Sequence, residues 1–307
     1  RWYYYSFLLL NAIIWGAAFI VIKPSYEFTT PFRFLLYRFV LASLFGIPVI
    51  LWYLPKIKEF WKKVGIVTIS EIIGIPIALG MLYTGLERTS AIEAGFLTTT
   101  VPIFVVLFGI WFLKEREERH EWEGLALAFI GTLILTFMPF FEGKAILDHV
   151  SLSGNLLIFM HNISIGIYYI LVKKHYHTMP KLFAAAVSFM VGAISFFFMS
   201  LSELNFSLPA LMEAVHFDIV QPSVQLAAMY MGILGSVVAL TAYIIGQDGV
   251  EASEATLFSY LQPLVYVPLG IILLGESVNW QHGIALLLIF AGVVLGEWKG
   301  KWRKKTL

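Results

Sequence analysis

Cysteine is absent from the 307 residues, which excludes disulfides, thiolate nucleophiles and cysteine-ligated metals together. Charge is scarce as well. Asp, Glu, Lys and Arg make up 13% of the chain, about half the share of a soluble domain and too few to coat a water-soluble globule. A net charge of +1 removes the basic footprint of a nucleic-acid binder. Aspartate occurs only at Asp148, Asp218 and Asp248, too dispersed for an aspartate-rich metal motif, and no histidine pair stands in HExxH spacing. Neither a P-loop nor a Gly-x-Ser-x-Gly elbow is present, so no metal, cofactor or direct ATP drive is expected. What remains is 59% apolar and 16% aromatic, the composition of a polytopic membrane protein.

A transmembrane helix needs ~20 mostly apolar residues. Ten such runs fall near 4–23, 31–54, 64–86, 90–113, 122–140, 153–173, 180–201, 224–246, 252–274 and 281–297. Breakers mark the connections: Lys23-Pro24, Glu87-Arg88, Met179-Pro180 and Gln221-Pro222. The longest connection, about 202–222, holds Pro209, Glu203, Glu213 and Asp218, and its Ala-Leu-Met-Glu-Ala stretch reads as a short interfacial helix. The chain starts at Arg1 rather than Met, and its first apolar run is too long for a signal-peptide core. Sixteen of the 21 Lys and Arg lie at the termini or in one set of alternate loops, around Lys56–Lys63, Lys114–Arg119 and Lys173–Lys181. The positive-inside rule then places both termini in the cytoplasm.

The chain also repeats itself. At an offset of 161, Gly85, Ala91, Ala94, Pro102, Glu115 and Gly131 land on Gly246, Ala252, Ala255, Pro263, Glu276 and Gly292, and Glu93 lands on Glu254. Earlier in each half an offset of 150 holds, bringing Trp15-Gly16 onto Ile165-Gly166 and Lys23 onto Lys173. Residues 1–145 and 146–307 are therefore read as two repeats of five helices. Five is odd, so the second copy enters the membrane inverted, and inverted repeats place a binding site near the midplane between them.

The order Trp15-Gly16-Ala17-Ala18-Phe19, Pro31…Arg38-Phe39, Ala91…Pro102…Leu113-Lys114-Glu115 and Gly124…Gly131 recurs in part as Ala252…Pro263…Leu274-Gly275-Glu276 and Gly283…Gly292. This resembles the drug/metabolite transporter superfamily, in its ten-helix branch built from two EamA domains. The resemblance covers essentially the whole chain. It implies a monomeric basket of ten helices around a central cavity, lined mainly by the first, third, fourth, sixth, eighth and ninth spans. It also implies movement of amino acids, metabolites or drug-like organics, often outward. The charged run from Lys114 to Glu123 and the pair His161-Asn162 depart from the family pattern.

Polar groups inside a bilayer are expensive, and each is a functional candidate. Glu71 in the third span is read as a proton-coupling or substrate-contacting carboxylate, or as a structural one bonded to a neighbouring helix. His161 and Asn162 stand mid-way along the sixth span, where an imidazole either binds substrate or bonds between helices. Tyr168 and Tyr169 follow, and Trp15 and Tyr83 are further cavity candidates. Arg38, with Glu93 at a similar depth as its expected partner, and Glu254, the repeat mate of Glu93, are read as gating residues. Pro102 and Pro263 fall at the centres of the fourth and ninth spans. Their rings free the carbonyls of Thr98 and Ser259. A substrate site is expected there, from Thr98, Thr99, Tyr260 and Gln262, unless the hydroxyls simply cap the bent backbone.

The reading this supports is a secondary transporter in a plasma or inner membrane. It would export amino acids, nucleobases or drug-like compounds by alternating access, with the lipid bilayer, a small-molecule substrate and protons as partners. An uncoupled facilitator or exchanger is the alternative within transport. A lipid scramblase or an intramembrane enzyme is the alternative outside it.

Overall fold

The computed structural model describes residues 2–113, 119–137, 149–176, 179–248, 258 and 261–297, and every regular element among them is helical. In chain order, α1 is Trp2–Ile22, continued by a short 3₁₀ turn over Lys23–Glu27, and α2 is Pro31–Tyr53. Helix α3 comprises Phe60–Ile72, a wide π segment Ile73–Ile77 and Ala78–Arg88. Helix α4 is split into Ala91–Thr98 and Val101–Leu113, and α5 is Arg119–Thr136. The second half begins with α6 (His149–His175) and α7 (Lys181–Glu203). It continues with α8 (Leu208–Ile219) and α9, which again holds a π segment: Pro222–Met229, Tyr230–Val238, Ala239–Asp248. Helices α10 (Pro263–Leu274) and α11 (Trp280–Glu297) complete it.

Seven of these are long and apolar enough to cross a membrane, and α5, α10 and α11 supply three shorter apolar helices. Among the described residues, with α8 set aside, each half has five helices. Helix α8 is the short helix expected in the long connection, capped by the Ser207 hydroxyl on the Ala210 N–H. It also explains why the repeat offset changes. The link from α2 to α3 spans residues 54–59, whereas the link from α7 to α9 carries the additional twelve-residue helix.

The two halves interlock about a pseudo-twofold axis. Helix α2 packs on its mate α7, and α5 on its mate α11. The pairing of α3 with α6 is matched by α9 with α1, and α4 with α6 by α10 with α1. Small residues permit the α5–α11 approach symmetrically. A Cβ on Gly131 would stand 2.7 Å from the Ala285 carbonyl oxygen, and one on its mate Gly292 would collide with the Gly124 carbonyl. Gly292 therefore serves helix packing inside the monomer.

Charged groups tie the helix ends at one membrane face. Lys23 donates to the carbonyls of Leu86, Glu87 and Thr89, the last turn of α3, where a cation also suits the helix dipole. Gly275, at φ 65°, ends α10 in the left-handed conformation. Glu276 follows, and its carboxylate accepts the N–H groups of Ala91 (2.7 Å) and Ile92 (2.8 Å), capping α4 from across the repeat. This gives the Leu-Gly-Glu motif a mechanical reason.

Candidate functional site

Between the halves lies a cavity of about 550 Å³. Helix α1 contributes Trp15 and Phe19, α2 Arg38, α3 Tyr83, and α4 Thr98, Thr99 and Pro102. Helix α6 contributes His161 and Tyr169, α9 Met231 and Tyr243, and the approach to α10 contributes Gln262. Of the residues singled out from the sequence, Trp15, Tyr83, Thr98, Thr99, His161, Gln262 and Arg38 are thus brought to one space. Tyr260, Glu254 and Ser259 lie outside the described residues.

The α4 wall is shaped by its prolines differently from a bent helix. Helix α4 is interrupted at Thr99-Thr100, and Pro102 sits in the first turn of the second segment, where its missing N–H costs nothing. Pro263 likewise opens α10 rather than bending its middle. The three threonine hydroxyls turn back on their own helix: Thr98 donates to Gly95 O (2.9 Å), Thr99 to Phe96 O (2.6 Å) and Thr100 to Leu97 O (2.7 Å). Each hydroxyl keeps an acceptor lone pair. Asn162 braces the break from α6, donating to Leu97 O (2.8 Å) and the Thr100 hydroxyl (2.9 Å). It is fully buried and is not among the cavity-lining residues.

Among the described residues, Arg38 is the one formally charged residue lining the cavity. Its Nε donates to the Ser236 hydroxyl (2.9 Å) and Nη1 to the Tyr83 hydroxyl (2.6 Å). Its guanidinium also lies over the Phe39 and Tyr83 rings, and Tyr83 is itself stacked on Phe34. These partners differ from the Glu93 expected at the same depth. Glu93 sits in the first turn of α4, where its own N–H is capped by Ser90. Its carboxylate faces the Thr89 hydroxyl, with His282 Nε2 at 3.7 Å. Arg38 and Glu93 are therefore held by different partners rather than by each other.

Glu71, only 1% exposed, stands away from the cavity in a second polar cluster. Its Oε1 accepts from the hydroxyls of Tyr168 (2.7 Å) and Tyr176 (3.0 Å), both on or just after α6. Tyr168 thus turns toward Glu71 while its neighbour Tyr169 lines the cavity, as adjacent helical positions diverge by ~100°. His161 Nδ1 lies 2.8 Å from Ala78 O, which leaves Nε2 as the ring nitrogen available to the cavity.

Two features escaped sequence reasoning. The fully buried Asp218 of α8 receives Arg33 Nε (2.7 Å), the Tyr37 hydroxyl (2.7 Å) and the Thr29 hydroxyl, so it fastens α8 to the start of α2. An isolated aspartate in a loop-like stretch announces no partner 185 residues away. The π segments of α3 and α9 are the other. Gly74 with Pro76 in one and Gly232 with Gly235 in the other are the signals, and either pair is compatible with an ordinary helix.

Two inverted five-helix repeats enclosing a polar and aromatic cavity define an integral membrane transporter. The EamA-like transporter family model matches residues 2–137 and 152–296, one match per repeat. The chain belongs to that family, and so to the drug/metabolite transporter superfamily it resembles in sequence. It is 26% identical to the uncharacterized transporter YcxC of Bacillus subtilis, over 94% of this chain and 91% of that one. It is also 26% identical to the uncharacterized inner membrane transporter YedA of Escherichia coli, covering 92% and 87% of the two chains. One solved crystal structure aligns over 97% of both chains with a TM-score of 0.58 at 18% identity, which shows likeness of fold.

Proposed function

We propose that this transporter exports small organic metabolites by alternating access, and that the central cavity is its substrate site. The observation that carries the reading is the cavity's lining among the described residues: the guanidinium of Arg38, the aromatic rings of Trp15, Tyr83, Tyr169 and Tyr243, and the polar side chains of Gln262, Thr98 and Thr99. Its volume falls within the ~300–1,000 Å³ range of small-molecule sites. A single cation suits one carboxylate, and flat aromatic walls suit a ring or an apolar side chain. Amino acids, nucleobases and compact drug-like molecules fit this chemistry. Sugar phosphates fit it poorly, because a dianion calls for more than one basic partner.

In this reading the protein works as a monomer with both termini cytoplasmic, and Glu71 carries the coupling proton. A desolvated carboxylate held by two phenols is suited to exchanging a proton as the halves rock. An uncoupled facilitator is the competing reading, and the two differ in one measurement. Protein reconstituted in liposomes and screened over amino acids, nucleobases and amphipathic aromatics should show uptake that responds to an imposed pH gradient. Glu71→Gln should abolish that response with little change in folded yield. A wild-type protein indifferent to the gradient would remove the proton from the mechanism. Arg38→Ala and Gln262→Ala should each weaken or redirect substrate recognition while the protein still inserts, with Tyr260→Ala as a third probe. Wild-type affinity in all three would place the site elsewhere.

A further inference from the structure

At the offset of 150 that aligns Trp15 with Ile165, Asn11 of α1 lands on His161 of α6. At the offset of 161 that aligns the third helix of each half, Ala78 lands on Ala239. The structure joins these four residues crosswise. Asn11 Nδ2 donates to Ala239 O at 2.9 Å, and His161 Nδ1 lies 2.8 Å from Ala78 O. Each accepting residue directly follows a π segment, Ile73–Ile77 in α3 and Tyr230–Val238 in α9. A carbonyl has two lone pairs, so each accepts this side chain in addition to any bond within its helix. Asn11 and His161 are both buried.

The two side chains match more closely than their names imply. Nδ2 of asparagine and Nδ1 of histidine are each bonded to Cγ, so both place an N–H donor at the same distance from the backbone. Wide helical turns are local defects at which a helix yields, and they recur at functional positions. A hydrogen bond from the opposing half to the residue that closes such a turn fixes the turn against it.

We propose that Asn11 and His161 are equivalent positioning residues, each pinning the π turn of one half to a helix of the other. Their bonds set how readily α3 and α9 yield there. The two pins differ in address. Asn11 is absent from the cavity lining, whereas His161 belongs to it, so the pin on α3 is the one within reach of a bound molecule. That last step rests on the transport reading; the pinning itself does not.

Hydrogen–deuterium exchange of the protein in lipid nanodiscs, without any substrate, tests the pins directly. Asn11→Ala should accelerate amide exchange in and just after Tyr230–Val238 roughly tenfold, the effect of losing one buried hydrogen bond, and leave Ile73–Ile77 unchanged. His161→Ala should do the reverse. His161→Asn should restore slow exchange at Ile73–Ile77, because it supplies the donor that the other half already uses. Unchanged exchange in both alanine variants, or no recovery in His161→Asn, overturns the proposal. Where a transported compound is in hand, Asn11→Ala should lower the turnover rate with KM within about twofold of wild type. Exchange that responds in a protein moving none of the screened compounds would keep the pins and remove the transport reading.

Discussion

Helices α3 and α9 occupy equivalent places in the two halves and carry equivalent π turns, yet their chemistry is opposite. Just before its turn α3 carries Glu71, bonded by two tyrosines of the second half. The matching position on α9 is Gly232, and α2 is pressed against it. In place of an acid, α9 offers the Ser236 hydroxyl, which holds Arg38 of the first half. A common backbone thus sets Glu71 of α3 against tyrosines of the second half and the Ser236 hydroxyl of α9 against Arg38, so both charged groups belong to the first half. The backbone symmetry shapes the space between the halves, and the side-chain asymmetry gives that space a direction.

The hardest test is to make the halves alike. Gly232→Glu should leave no folded protein, because a Cβ there meets the Leu41 Cβ at 2.7 Å and the Arg38 carbonyl at 3.2 Å. Overpacking costs about 1–3 kcal/mol and a buried unpaired charge about 3–5 kcal/mol more. Size-exclusion chromatography should show the monodisperse peak lost; a normal peak would mean the two helices are interchangeable after all.

A smaller loss is expected where the second half has an element that the first lacks. Asp218→Ala removes the anchor of α8 and strands Arg33, at about 3–5 kcal/mol. Thermal unfolding in detergent should fall by many degrees, and an unchanged midpoint would make α8 an ornament. Glu71→Leu removes the acceptor of the Tyr168 hydroxyl at about 1–3 kcal/mol and leaves Tyr176 only the longer bond to Val67 O (3.3 Å), while Glu71→Gln retains an acceptor and should cost about 1 kcal/mol. Equal losses in the two variants would mean the cluster is not held by these bonds. Smallest is Trp15→Phe, which loses the bond from Nε1 to Gly235 O and about 1 kcal/mol. Its mate Ile165 has no such donor to lose, and the volume-conserving Ile165→Leu should cost less than Trp15→Phe. A reversed order would place the more firmly held first helix in the other half.

The helices were legible in the sequence because a bilayer demands long apolar runs, and the repeat because its punctuation keeps register. Trp15, Tyr83, Thr98, Thr99, His161 and Gln262 share one cavity because the helices that carry or follow them meet between the two halves. Less legible was anything set by azimuth rather than depth. Arg38 and Glu93 are expected at one depth from the sequence, but Arg38 donates to Ser236 and Tyr83 instead. Tyr168 and Tyr169 were indistinguishable as letters, though only Tyr169 borders the cavity. The proline carbonyls were misjudged for a different reason. A proline ends or begins a helix as readily as it bends one, and the threonines before Pro102 supplied the break.

Helix α8 has a consequence for energetics. On the proposed alternating-access reading, two halves related by an exact twofold axis and joined by identical links would have two end states equal in free energy and equally occupied at rest. The link bearing α8 stands on one membrane face, and inversion puts its short counterpart, residues 54–59, on the other. Whatever the Asp218 anchor contributes is therefore added to one face alone. On that alternating-access reading, α8, none of whose residues line the cavity, would favour one end state without touching the substrate site.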